Sequence, residues 1–406
     1  MPEAPLTRHD AGVSDIDSLY QPTHDEYARQ RLIGVMRNHA FHKLRDDVCT
    51  EYETKVAPAL KAAGKPVPDD GHGIDRVMQQ NDLYRFYSTI RYNSQEMMYQ
   101  SVLNPIERVA PDMNAVGQEI AARHNARGTL KIAQGFELPR YVTAMDVHLA
   151  PGCFHSEYTT NDLVQGAMLA QGSRVGVGGM AHRRETGAVG QSIAHWLAAK
   201  YPDFKPRRIL DIGTQSGKNL IPYGEIYPQA ELYGIDVAAP CLRFGHVKAE
   251  QEGVAVHFSQ QNAEALDFAD GYFDLVVSSF FFHEVPVPST RRILRECYRV
   301  LSTGGIMTHM ELPPSKLASP ILDFMWDWDT KNNNEPSYAA FRAMDPTVLC
   351  VEAGFTADAM IETTVPNWSS YTPEQNAKFY RGEAQVPRHG RGGWFIFGAR
   401  KMIAPT

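Results

Sequence analysis

Between His24 and about Gly64 the apolar residues Tyr27, Leu32, Val35, Met36, Phe41, Leu44 and Val48 recur at three- and four-residue steps. That period marks one face of an α-helix. The stretch KPVPDDGHG at 65–73 breaks it, and two further helical runs rich in Tyr and Met follow at roughly 74–103 and 105–126. No strand alternation precedes residue 130, so the first third is predicted to be mainly helical. After about residue 205 short β-branched or aromatic runs take over: RRILDIG, ELYGID, AVHFSQ, FDLVVSSF, GIMTHMEL, MIETTVP and WFIFGARK. Stretches of helical composition at 217–227, 238–252 and 289–303 separate the earlier ones. Strands alternating with helices predict βαβ units and a doubly wound, mainly parallel sheet covered on both faces.

Three segments are expected. Residues 1–150 form a mainly helical domain serving acceptor binding, as a lid, or dimerisation. Residues 151–204 form a linker and leading helix. Residues 205–406 form the α/β domain, with a recognition insertion near 313–345. Residues 1–25 are polar and expected to be loosely held.

Composition narrows the function. The 406 residues carry 40 Lys and Arg against 47 Asp and Glu, a formal charge of −7, with 43% hydrophobic and 21% charged residues. This is the balance of a globular protein with a sizeable core, not a disordered chain. Neither half has a basic excess, which disfavours nucleic acid as the main partner. No apolar leader or run of 18 apolar residues is present, so neither secretion nor membrane spanning is expected. The five cysteines (Cys49, Cys153, Cys241, Cys297, Cys350) form no C-x-x-C pair. Reduced thiols in a cytoplasmic protein are the expectation.

The first predicted strand of the α/β domain runs into Asp211-Ile212-Gly213-Thr214-Gln215-Ser216-Gly217, where a helix is expected to open. Glycine turns let backbone approach a ligand, and helix N-termini present free N–H groups. A phosphate loop fails here, because only three residues separate Gly213 from Gly217 where four are needed, and Asn219 stands where Ser or Thr must follow Lys218. A dinucleotide fingerprint fails as well, with Gln215 and Lys218 in two of its positions.

RILDIGTQSG, ELYGID, QNAEALDFADGYFDLVVSSFFFHEV and RRILRECYRVLSTGGIM, in this order over about 200–312, resemble class I S-adenosylmethionine-dependent methyltransferases. The resemblance implies a Rossmann-like sheet, S-adenosyl-L-methionine as cofactor and S-adenosyl-L-homocysteine as product. It implies that Asp211, Gly213, Gln215 and Gly217 wall the methionine part and that Asp236 and Val237 meet the ribose. Asn262 and Ala263 would meet the adenine, and Ser279 and Phe280 would flank the sulfonium. Gln215 departs from the family's glycine, at a cost of about 1 kcal/mol if its φ is positive. Asp236 could instead only cap the following helix.

His283, just past the fourth strand of the domain, is the candidate general base, and Glu311 is a second candidate. His148, His155, Tyr158 and Trp326 are the candidate acceptor contacts. The pairs Asp146-x-His148 and His155-x-Glu157 invite a metal reading, but their spacing matches no known signature, so no metal is expected. The predicted function is methyl transfer to a small organic molecule, with oxygen ahead of carbon and nitrogen. The alternative is a non-catalytic adenosyl-ligand-binding protein or partner subunit. A homodimer is the expected assembly.

Overall fold

The computed structural model describes residues 15–176 and 187–402. Eight strands form one sheet: β1 (Thr129–Lys131), β2 (Arg208–Ile212), β3 (Glu231–Asp236), β4 (Val256–Gln260), β5 (Phe273–Ser279), β6 (Leu301–Met310), β7 (Met360–Pro366) and β8 (Gly393–Arg400). Their order is β1-β4-β3-β2-β5-β6-β8-β7. All pairings from β1 to β6 are parallel, and β8 runs antiparallel to both its neighbours. The chain steps outward from β2 to β3 and β4, then returns to place β5 on the other side of β2. That reversal opens a crevice at the carboxyl ends of β2 and β5, where doubly wound sheets bind ligands.

Seven strands fall on the runs predicted from alternation. β1 was not anticipated. It has three residues, exposed on both outward positions, and is recruited to the sheet edge by pairing with β4, as in Thr129 with His257. Such a short exposed segment carries no local hydrophobic signal.

The helical part also differs from its prediction. Helix continues from His24 through Ala62, with π-helical turns at Ala40–Leu44 and Tyr52–Val56. The two runs expected on either side of residue 104 are one helix, Asp82–Ala121, with Pro105 inside it. Proline lacks the N–H that would serve the carbonyl four residues earlier. Here the buried Gln30 amide donates to that carbonyl, Ser101 O, at 3.0 Å. The N-terminus is not loose from Asp15 onward: Ile16 is fully buried, and Asp17 meets Lys248 at 2.8 Å. Residues 1–14 lie outside the described residues.

Two apolar clusters join the helical part to the sheet domain. Met98, Tyr99, Val102 and Met168 pack with Cys241, Phe244 and Val247 of the helix Ala239–Glu252, which follows β3. Leu44, Val48, Ile74 and Tyr87 pack with Ile321, Phe324, Met325 and Trp328 of the segment after β6. In that segment the fully buried Arg342 guanidinium binds Asp323 at 2.6 Å and Asp327 at 2.5 Å, tying its short helices together. The helical layer therefore reaches both flanks of the crevice.

Candidate active site

Four neighbouring strand ends deliver the cofactor-side candidates. Past β2 the turn has positive φ at Gly213 (65°), Gln215 (53°) and Gly217 (74°). A Cβ on Gly213 would lie 2.2 Å from the Phe281 ring, and one on Gly217 2.7 Å from Phe258, so both positions exclude side chains. Gln215 adopts the left-handed conformation without being glycine, and its N–H donates to Asp236 Oδ2 at 2.8 Å. Glutamine thus keeps the turn conformation that glycine would favour. The following helix is Ile221–Ile226, shorter and later than the predicted 217–227. The backbone of the turn, not a helix N-terminus, faces the crevice.

Asp236 ends β3 with its second oxygen, Oδ1, accepting from Ala238 N at 2.9 Å. That bond lies before the helix Ala239–Glu252, which has no side-chain cap, so Asp236 anchors the glycine turn and the entry to the helix without capping it. Each carboxylate oxygen retains a second acceptor site. Burial raises the Asp236 carboxyl above its usual range, opposed by the N–H groups it holds. Burial also lifts Asp211 to about 7, with the Thr214 hydroxyl opposing at 2.7 Å and the Asp236 charge adding. Val237 O accepts from Gln260 Nε2. Asn262 Oδ1 accepts from Glu264 N, shaping the turn past β4 beside the buried Ala263.

Ser279 ends β5. The Phe280-Phe281-Phe282 run divides three ways. Phe282 is fully buried, Phe281 covers Gly213, and Phe280 is 40% exposed with φ 56°. The cause is Glu311, which is fully buried past β6. Its Oε1 accepts from Phe281 N at 2.7 Å and Phe282 N at 2.5 Å, and its Oε2 accepts from His283 Nδ1 at 2.6 Å. With its oxygens so engaged, Glu311 fits a positioning role better than that of a base.

His283 is 3% exposed, and its ring lies 6.1 Å from that of Phe280. Burial alone would lower its pKa, but Glu311 and Glu284 hold it well above the ordinary value. Around it stand groups from distant segments. His148 Nε2 meets Glu284 Oε1 at 2.8 Å, and His148 Nδ1 meets Glu335 Oε1 at 2.8 Å. Burial opposes ionisation of Glu284, yet His148 and His283 hold its carboxyl far below the usual range. His148 has φ 58°, and its carbonyl accepts from Gln95 of the long helix at 2.9 Å. Tyr338 closes the cluster, its ring 5.5 Å from His283.

Of the expected acceptor contacts, only His148 enters this cluster. Tyr158 is 52% exposed, and the half-buried His155 makes no described contact with the cluster. Trp326 lies under Arg342 and 6.3 Å from His389, which is itself 6.0 Å from Trp394, the partner of Phe280. It belongs to the outer wall. Glu157 pairs with Arg243 rather than with His155. Sequence reasoning missed Glu284 and Glu335, although Glu284 lies in the HEV that ends the third of the four quoted segments and Glu335 lies in the insertion expected near 313–345.

A doubly wound sheet with a glycine turn after its first central strand, an acid ending the next, and a polar group beyond β5 is similar to the arrangement of class I S-adenosylmethionine-dependent methyltransferase domains. Residues 209–305 match the family described as Methyltransferase domain. A Thermus thermophilus demethylmenaquinone methyltransferase is 40% identical over 109 residues, covering 27% of this chain and 49% of that protein. The Vibrio campbellii ubiquinone/menaquinone biosynthesis C-methyltransferase UbiE is 32% identical over 120 residues, covering 29% and 44%. The chain thus spans about half the length of the curated relatives it matches. The crystal structure of the YcgJ protein from Bacillus subtilis superposes with a TM-score of 0.34 and 20% identity, over 52% of this chain and 99% of that one. Among the described residues no helix is long and apolar enough to cross a membrane.

Proposed function

We propose that the chain transfers the methyl group of S-adenosyl-L-methionine to a carbon atom of a small organic acceptor. The observation that carries this reading is the assembly at the carboxyl ends of neighbouring strands within the sheet. The Gly213–Gly217 turn, Asp236, the Asn262–Ala263 pair and Ser279–Phe280 occupy adjacent strand ends, and a buried polar cluster lies immediately beyond Phe280. Oxygen was the first expectation for the acceptor atom. Carbon is favoured by the relative whose name states C-methyl transfer.

The chemistry follows from charge. The donor is a sulfonium, so its methyl needs no covalent activation by the protein, and in-line positioning with water excluded supplies most of the acceleration. A ring carbon becomes nucleophilic when a neighbouring hydroxyl loses its proton. The side chains around His283 stand where they can bring that loss about. In this reading the helical part acts as the cover, supported by Gln95 and Tyr99 on the long helix behind His148. Gln215 is the departure from the family pattern that favours a non-catalytic protein, and its glycine-like backbone, with φ 53°, weakens that case.

The test is transfer of labelled methyl from S-adenosyl-L-methionine into a host metabolite extract, followed by NMR of the labelled product. A new C-methyl signal is expected. An O- or N-methyl product would overturn the carbon assignment. No label transfer from a chain that binds the cofactor would return the non-catalytic reading.

A further inference from the structure

Two histidines of the cluster share one arrangement. His283 has Nδ1 held by the Glu311 carboxylate at 2.6 Å, and its Nε2 faces Glu284 Oε1 at 3.5 Å. His148 has Nδ1 held by the Glu335 carboxylate at 2.8 Å, and its Nε2 faces the same Glu284 Oε1 at 2.8 Å. Two imidazole Nε2 atoms from separate segments therefore converge on one carboxylate, each ring oriented from behind by another. Metal-binding histidines are oriented in this way, with the far nitrogen on a carboxylate that fixes the tautomer.

Two observations argue for more than a network of ion pairs. Glu284 Oε2 is buried and has no hydrogen-bond partner, and so is Asn333 Oδ1 alongside. The cluster is also rich in carboxylates: three of them (Glu284, Glu311, Glu335) face two imidazoles, and the nearby Arg91 is committed to Asp329 at 2.7 Å.

We propose that His148, His283 and Glu284 form a site for one divalent transition-metal ion, with Glu311 and Glu335 orienting the two histidines. Ligands bound at about 2.0–2.2 Å lie roughly 3–4 Å from one another; the two imidazole Nε2 atoms lie 2.8 and 3.5 Å from Glu284 Oε1, and donor atoms of His148, Glu284 and Glu335 lie within 4.8 Å of one another. Two imidazoles with one carboxylate suit Zn²⁺, Fe²⁺ or Mn²⁺ better than Mg²⁺ or Ca²⁺, which prefer oxygen alone. Three protein ligands leave a position open for an acceptor hydroxyl, and metal coordination would promote release of its proton to solvent, leaving the metal-held oxygen anionic. This use of the site rests on the methyl-transfer reading.

The experiment is calorimetric titration of the full, chelator-treated chain with Zn²⁺, with Co²⁺ as a visible-absorption probe. One equivalent binding at micromolar Kd or tighter is expected, with Co²⁺ bands of a mixed nitrogen and oxygen site. Glu284→Gln and His283→Asn should each weaken binding at least 100-fold, with folding checked by circular dichroism. As a readout independent of the variants, Zn²⁺ should raise the melting temperature of the natural chain. The site is overturned if no saturable binding tighter than about 100 µM is found, or if both folded variants bind like the natural chain. Metal binding without methyl transfer to any extract would leave the site standing and remove the proposed activity. Methyl transfer unaffected by chelation, with no metal bound, would do the reverse.

Discussion

The Glu311 carboxylate accepts the Nδ1–H of His283 at 2.6 Å while also holding the backbone N–H groups of Phe281 and Phe282. One buried acid thus sets both the orientation of the ring and the path of the chain that carries it. Glu311→Gln keeps the volume but replaces an anionic acceptor with an amide that must also place two donors. Disrupting one partner of a buried charged pair costs roughly 3–5 kcal/mol. The expected result is a clearly lower urea midpoint and a fall in kcat of at least tenfold, with cofactor affinity within about threefold. Unchanged kcat in the variant would remove Glu311 from the machinery.

His283→Ala tests the ring itself. If the cluster governs the acceptor's proton, kcat should fall by about 10²–10⁴ while calorimetric affinity for S-adenosyl-L-methionine stays near that of the natural chain. Turnover retained within threefold would show that the acceptor needs no help from this residue.

Asp236→Ala removes the proposed ribose ligand together with the anchor of the Gln215 N–H. Hydrogen bonds to charged groups contribute roughly 1.5–3 kcal/mol each. Cofactor binding should therefore weaken at least tenfold by calorimetry. Equal affinity in a folded variant would reassign the ribose site.

Asp211 gives a pH prediction. Its carboxyl sits at about 7 in the folded chain because it is buried beside Asp236, against roughly 3.9 when unfolded. The folded state therefore retains a proton that the unfolded state releases. The resulting stability is complete below about pH 4 and is lost as pH rises through 7. Between pH 5 and pH 8 the natural chain should lose roughly 2–3 kcal/mol more than Asp211→Asn, measured by urea unfolding. Parallel losses in the two proteins would contradict the assignment.

Gln30 and Pro105 form a testable pair. Gln30→Leu leaves the buried Ser101 carbonyl without a donor, at a cost of about 1–3 kcal/mol. Adding Pro105→Ala supplies the missing helical N–H, so the double variant should recover most of that loss. A double variant no more stable than Gln30→Leu alone would show that the amide serves another purpose.

By itself the sequence determined the elements whose signal is local. Seven strand runs, the glycine turn at Gly213–Gly217 and the acid at Asp236 were legible, because alternation, turn chemistry and strand-end position reside within a few residues. Pro105 misled for the complementary reason: the proline is a local signal, while Gln30, which makes it tolerable inside a helix, lies on another helix. β1 escaped because its only support is a neighbouring strand. Only the tertiary structure decided the polar cluster. His148, Glu284 and Glu335 come from three separate segments, and nothing in their spacing along the chain brings them together. Packing of the long helix and of the insertion against the β5 loop places them within hydrogen-bonding reach. The same packing left Tyr158 exposed and His155 apart from the cluster, although both are close to His148 in sequence. Side-chain convergence depends on where backbones pack, and that is a property of the whole fold.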